Sequence, residues 1–186
     1  MSVVTTTRSR LARRRHAHGF TLVELAVVVT IVAILSVIAL VGYRKYMLNA
    51  KITEAKSVIS AIRIAQEDYR SEKGVYADLG TGFCPGGAGK GSVKVGWDPN
   101  CGTPKWSTLP VHIDGAVQFA YATTAANSGK PASPFGFTFV DYSGANAGMW
   151  YVVGAKCDLD DDSSNGETQL LGSSHDNYIR SANDGN

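Results

Sequence analysis

The segment GFTLVELAVVVTIVAILSVIALV, residues 19–41, decides how the rest of the chain is read. From Leu25 to Val41 it runs 17 residues without a charge. At the α-helical rise that is roughly 26 Å, which nearly crosses the hydrocarbon core of a bilayer. Counting from Phe20 to Tyr43 gives 24 residues, about 36 Å and enough for a tilted span. The longer count takes in one carboxylate, Glu24. An acid at the bilayer centre costs about 2.5–3.5 kcal/mol on insertion scales, so Glu24 calls for a reason. The candidates are a compensating partner on another subunit, or a place at the interface near the helix N-terminus, helped by the helix dipole.

Working outward toward the N-terminus, residues 1–19 form a basic leader with Arg8, Arg10, Arg13, Arg14 and Arg15, no acid and no apolar core of its own. A secretory signal carries its hydrophobic region before the cleavage site, and here that region follows the leader. Cutting at Gly19 is therefore expected to leave the chain in the membrane. The arginine cluster predicts a cytoplasmic N-terminus, with everything after Tyr43 on the far side; Arg44 and Lys45 are too few to reverse this. The formal charge of the whole chain is +2. Removing the leader's 5 arginines from the 18 basic residues leaves 13 against 16 acidic ones, a net of −3. That balance does not recommend nucleic acid as the main partner.

The run Gly19-Phe20-Thr21-Leu22-Val23-Glu24 carries a resemblance. A basic leader ending in Gly, then Phe, then Glu at the fifth position of the new chain, before a long apolar helix, resembles the class III signal of type IV pilins and the related pseudopilins. The resemblance is close over about residues 19–76 and beyond that extends only to layout. It implies cleavage between Gly19 and Phe20 by a prepilin peptidase, methylation of the new amino group on Phe20, and a role for Glu24 in assembly, paired with the amino terminus of a neighbouring subunit. It also implies partners: other pilins in a homo-oligomeric filament, an inner-membrane assembly platform and its ATPases. Many pilins carry a proline mid-span that this chain lacks; Val41-Gly42 stands about there, and Gly42 costs near 1 kcal/mol relative to Ala, enough to loosen a helix locally.

Beyond the span the periodicity stays helical. Ile52, Ala55, Ile59, Ile62, Ala65, Gln66 and Tyr69 recur at three- and four-residue intervals, with charged residues on the other faces. No proline interrupts residues 20–73, and Gly74 is a plausible C-cap. The expected divisions are thus a leader (1–19), a transmembrane or filament-core half-helix (20–43), an amphipathic half-helix (44–73), a globular headpiece (74–162) and a polar C-terminal tail (163–186). Residues 74–115, rich in Gly and Pro, read as an irregular loop folded back through Trp97, Trp106 and Leu109. Three alternating sets then read as strands: Val117, Phe119, Tyr121 and Thr123; Phe135, Phe137 and Phe139; Tyr151, Val153 and Ala155. Turn-rich connections between them favour antiparallel pairing. The expected class is α+β, a long N-terminal helix packed on a small antiparallel sheet.

Cys84, Cys101 and Cys157 all follow the span, on the side expected to be oxidising. One disulfide and one leftover thiol is the simplest arithmetic; Cys84 with Cys101 closes a compact loop and is preferred, with Cys101–Cys157 and Cys84–Cys157 as alternatives. Asp158, Asp160 and Asp162 are spaced like the first ligands of a calcium loop, but Ser163 stands where the turn glycine belongs and Gln169 where the bidentate Glu belongs. A solvated acidic loop is the competing expectation, and no other cofactor is expected. The tail after His175 carries too little apolar content to predict order. No GxSxG, HExxH or His/Cys cluster occurs, and His112 with Asp114 has no serine in a supporting context, so no enzyme is expected.

The sequence therefore predicts a structural subunit of a type IV pilus-like filament. It is expected to sit first as a single-pass inner-membrane protein, with its C-terminus periplasmic, and then in a pilus at the cell surface, serving adhesion, motility or uptake. A type II secretion pseudopilin is the alternative within the class. A lone membrane-anchored binding or adhesin module is the alternative outside it.

Overall fold

The computed structural model describes residues 19–86, 88–91, 93–131, 135–142, 145, 147–159 and 166–183. The chain divides into two compact units, Met1–Gly42 and Tyr43–Asn186, and the helix α1, Leu22–Lys73, contributes to both. In the first unit α1 is dominated by Val, Ile and Leu, of which the β-branched residues have modest intrinsic helix propensity. A helix is nonetheless what such a run adopts where water is absent, because it satisfies every backbone group internally. Gly42 is helical.

In the second unit α1 buries one face: Ile52, Ala55, Ile59, Ile62, Ala65 and Gln66. These six all belong to the stripe expected from the sequence, and a fully buried Ile contributes about 1.5–3 kcal/mol. Arg70 and Lys73 occupy the last turn, where cations suit the helix dipole. Gly74 then takes φ 76° and donates its N–H to the Arg70 carbonyl at 2.8 Å, closing the helix in the left-handed conformation that glycine adopts without steric cost.

Residues 74–115 are irregular apart from a two-residue strand β1, Val95–Gly96, and a 3₁₀ turn, Trp106–Thr108. β1 pairs antiparallel with β2, Ala116–Val117. The main sheet has four strands in chain order: β3 (Ala120–Ala126), β4 (Trp150–Cys157), β5 (Thr168–Ser173) and β6 (Arg180–Ala182), each antiparallel to its neighbour. Outside the sheet, Leu79 N donates to Thr123 O at 3.2 Å, and Cys84 and Tyr121 exchange both backbone hydrogen bonds at 2.7 and 2.8 Å. The edge of β3 is thereby closed to other strands.

Both faces of this sheet are covered. Across one row Thr123, Val153 and Gly172 stand in register, and this face meets α1. A Cβ on Gly172 would lie 2.9 Å from Ile59 Cγ2 and 3.3 Å from Arg63 Cδ, so the missing side chain lets helix and sheet close up. The adjacent row, Ala122, Gly154 and Leu171, belongs to the other face. There Phe137, Val140, Trp150, Val152 and Leu171 form a second apolar cluster flanked by Phe83, Phe135 and Phe139. Phe135 occupies the place a Gly154 side chain would take, 2.6 Å from the ideal Cβ.

The α+β class expected from the sequence is the one observed, with three corrections within it. Phe135–Phe139 is not a strand: its alternating rings pack on one another at centroid separations of 5.7 Å while the backbone crosses the sheet as a loop. The first set is broken as well, with Val117 in β2, Phe119 in a bend and only Tyr121 and Thr123 in β3. Finally, the expected polar tail, 163–186, supplies β5 and β6, and Leu170 and Leu171 of β5 lie in the two clusters.

Candidate functional site

The N-terminal unit is described from Gly19. Gly19, Phe20 and Thr21 are not helical, and Phe20 is 78% exposed. The Thr21 Oγ1 accepts a hydrogen bond from the Glu24 N–H at 3.1 Å, and the Thr21 carbonyl accepts from Leu25 N, also at 3.1 Å. Thr21 is therefore the N-cap of α1 and Glu24 its third helical residue, with the Thr21 half of a Thr-x-x-Glu cap formed. The sequence reading did not use Thr21, although Thr-x-x-Glu before an apolar run is a legible start signal. A carboxylate in the first turn also faces the positive end of the helix dipole.

From Leu22 to Val41 every large apolar side chain is between 47 and 88% exposed. The two hydroxyls in this stretch are satisfied within the helix, Thr30 Oγ1 donating to Ala26 O at 2.8 Å and Ser36 Oγ to Val32 O at 2.7 Å. Among the described residues the Glu24 side chain has no hydrogen-bond or ion-pair partner. The segment therefore offers an all-round apolar surface, long enough to cross a membrane, with one carboxylate near its start.

The family-level match falls on this segment. Residues 14–40 match the prokaryotic N-terminal methylation motif. By this N-terminal segment the chain is similar to type IV pilins and fimbrial proteins. It is 42% identical over 69 residues, 36% of this chain and 31% of the relative, to the type IV major pilin protein PilA of Myxococcus xanthus. It is 40% identical over 58 residues to the fimbrial protein EcpC of Eikenella corrodens, covering 31% of this chain and 38% of that protein. A probable minor fimbrial protein of Dichelobacter nodosus is 29% identical over 117 residues, 63% of this chain and 62% of its own length. The chain thus spans less than two thirds of each of these relatives. No solved structure matches it significantly.

The remaining candidate residues lie in the second unit. Cys84 and Cys101 are joined by a disulfide, the pairing preferred from the sequence, and Cys157 remains a buried thiol. Trp97 and Trp106 meet edge to face at 5.0 Å beside it, and Gly102 passes close to Cys84 Sγ. Asp158 lines a cavity of about 260 Å³ with Gly89, Lys90, Gly166 and Glu167. The neighbouring Glu167 carboxylate already receives Lys156 Nζ at 3.1 and 3.2 Å. Asp160 and Asp162 lie outside the described residues, and among the described residues no group of three or more His, Cys, Asp or Glu is placed to hold a metal. His112 Nε2 and Asp114 Oδ1 are 3.0 Å apart, with both side chains 90% exposed at the surface.

Proposed function

We propose that this chain is a structural subunit of a type IV pilus-like filament. It is made as a membrane precursor with a cytoplasmic N-terminus, cut after Gly19 by a prepilin peptidase, methylated on Phe20, and passed through an inner-membrane assembly platform. The observation that carries this reading is the exposed apolar helix from Leu22 to Val41, with Glu24 in its first turn, overlapping the methylation motif matched over residues 14–40. Such a helix in water would expose a large apolar surface; bundled with other copies it keeps the dry packing it has in lipid. Glu24 buried alone would be costly, but aligned with the positive amino terminus of a neighbouring Phe20 it is compensated, which disfavours misregistered subunits.

Electron microscopy of sheared surface material with peptide identification tests the proposal. Fibres containing this chain, with a peptide beginning at methylated Phe20, are the expected result. Gly19→Val should retain the leader in mass spectra. A precursor that stays uncut and unpolymerised in cells with an active peptidase would overturn the proposal.

A further inference from the structure

The residues that follow the apolar run in sequence are Tyr43-Arg44-Lys45-Tyr46. Tyr43 and Tyr46 are 63 and 70% exposed, and Arg44 and Lys45 are exposed. Among the described residues neither cation has an ion-pair or hydrogen-bond partner. No carboxylate occurs in the sequence between Leu25 and Thr53, so nothing along this stretch of helix neutralises them. Tyr43, Arg44, Met47 and Leu48 also line an open groove of about 290 Å³. One i, i+4 step separates Tyr43 from Met47 and Arg44 from Leu48, which brings two apolar side chains, a phenol and a guanidinium onto one strip of helix surface.

An apolar groove bordered by tyrosine and a guanidinium suits one occupant, the upper part of a bilayer. Tyrosine rings settle at the level of the headgroups, and long basic side chains lay their stems along apolar surface while the charge reaches the phosphates. We infer that Tyr43, Arg44, Lys45 and Tyr46 form an interfacial girdle that docks on phospholipid headgroups, anionic ones by preference, and fixes the depth at which the chain sits before assembly. This rests on the proposed reading of residues 22–41 as membrane-embedded in the precursor. The preference follows from charge: each basic residue at a membrane surface favours anionic over neutral lipid.

The test uses the full chain reconstituted in vesicles of phosphatidylcholine alone or mixed with phosphatidylglycerol. Cys84 and Cys101 are joined and Cys157 is buried, so a cysteine introduced at an exposed position is the one that reacts. Nitroxide labels on Val32→Cys, Tyr43→Cys, Tyr46→Cys and Ser57→Cys report depth by their relative accessibility to oxygen and to an aqueous nickel complex. The expected profile is hydrocarbon at position 32, interface at 43 and 46, and water at 57. A fluorophore at position 46 should be quenched at least about twofold more by spin-labelled phosphatidylglycerol than by spin-labelled phosphatidylcholine at equal mole fraction. Arg44→Gln with Lys45→Gln should bring that ratio to unity. Aqueous labels at 43 and 46 with 32 in hydrocarbon, or a ratio of unity in the wild type, would overturn the girdle while leaving the span intact. An aqueous label at 32 would overturn the span and the girdle together.

Discussion

Gln66 holds the backbone of Ala77 from both sides. Its Oε1 accepts the Ala77 N–H at 2.9 Å, and its Nε2 donates to the Ala77 carbonyl at 2.8 Å and to Thr123 Oγ1 at 3.1 Å. Gln66 is fully buried, so a single helical side chain here does what a neighbouring strand would do for the chain leaving α1. Gln66→Leu keeps the volume but strands two backbone groups, each costing about 1–3 kcal/mol when buried without a partner. We expect a loss of about 2–4 kcal/mol, read from urea unfolding of the detergent-solubilised chain by near-ultraviolet circular dichroism. A loss under about 0.5 kcal/mol would mean that Ala77 finds other partners.

Tyr121 presents the opposite case. Its ring is fully buried on β3, 6.2 Å from Trp97, and its hydroxyl has no partner among the described residues. Burial pushes the phenol's pKa up, with the Glu54 charge adding to the effect, so it stays neutral throughout the accessible pH range. Tyr121→Phe removes a polar atom and no hydrogen bond. The expected result is unchanged or higher stability, by up to about 1 kcal/mol. A lower Tm would show that the hydroxyl is satisfied in solution, for instance by bound water.

How far the fold was legible follows from which signals were local. The buried stripe of α1 and the cap at Gly74 are written in periodicity and residue type, and both appear where expected. β5 was not legible, because Thr168, Gln169, Gly172 and Ser173 dilute Leu170 and Leu171 below any strand pattern; the segment is a strand because β4 pairs with it. Phe135, Phe137 and Phe139 do alternate, but the alternation serves a loop whose rings fill the space over Gly154. At the N-terminus, Glu24 stood out as a charge in an apolar run, whereas its relation to Thr21 emerged only from the 3.1 Å hydrogen bond.

The turn between β5 and β6 should be sensitive to acid. Asp176 Oδ1 accepts from Tyr178 N at 3.0 Å, and its Oδ2 takes Arg180 Nε at 2.8 Å and Nη2 at 2.7 Å. The Tyr178 N–H and then the Arg180 side chain hold this carboxyl below its ordinary value. A depressed folded-state pKa stabilises fully above the unfolded value and loses that contribution as pH falls through the folded one. Arg63 ties the same turn to α1, its Nη1 and Nη2 each donating at 3.2 Å to the carbonyls of Asn177 and Asp176. Asp176→Asn should lower stability at pH 7 by less than about 1 kcal/mol, as befits an exposed ion pair. The gap from wild type should close below about pH 4. Hydrogen exchange at Leu170 and Leu171 across that range would check it, and a gap independent of pH would exclude the carboxylate as its source.

Glu24 stands in two relationships that one substitution separates. As the third residue of a helix capped by Thr21, it gives its backbone N–H to the Thr21 Oγ1, a bond that Gln at the same position keeps. As the proposed partner of a neighbouring amino terminus, it must carry charge, since a hydrogen bond to a charged group contributes about 1.5–3 kcal/mol against about 0.5–1.5 for a neutral one. Glu24→Gln therefore preserves the helix start and removes only the charge. The expected phenotype is normal insertion and leader removal, shown by a mature Phe20 terminus in mass spectra, with filament yield down about tenfold or more. Thr21→Ala does the converse: it costs about 1 kcal/mol of capping and leaves the charge, and should assemble nearly as well as the wild type. If Glu24→Gln filaments were as abundant as wild type while Thr21→Ala filaments were lost, the acid would be serving the helix terminus and the stagger between subunits would have another origin.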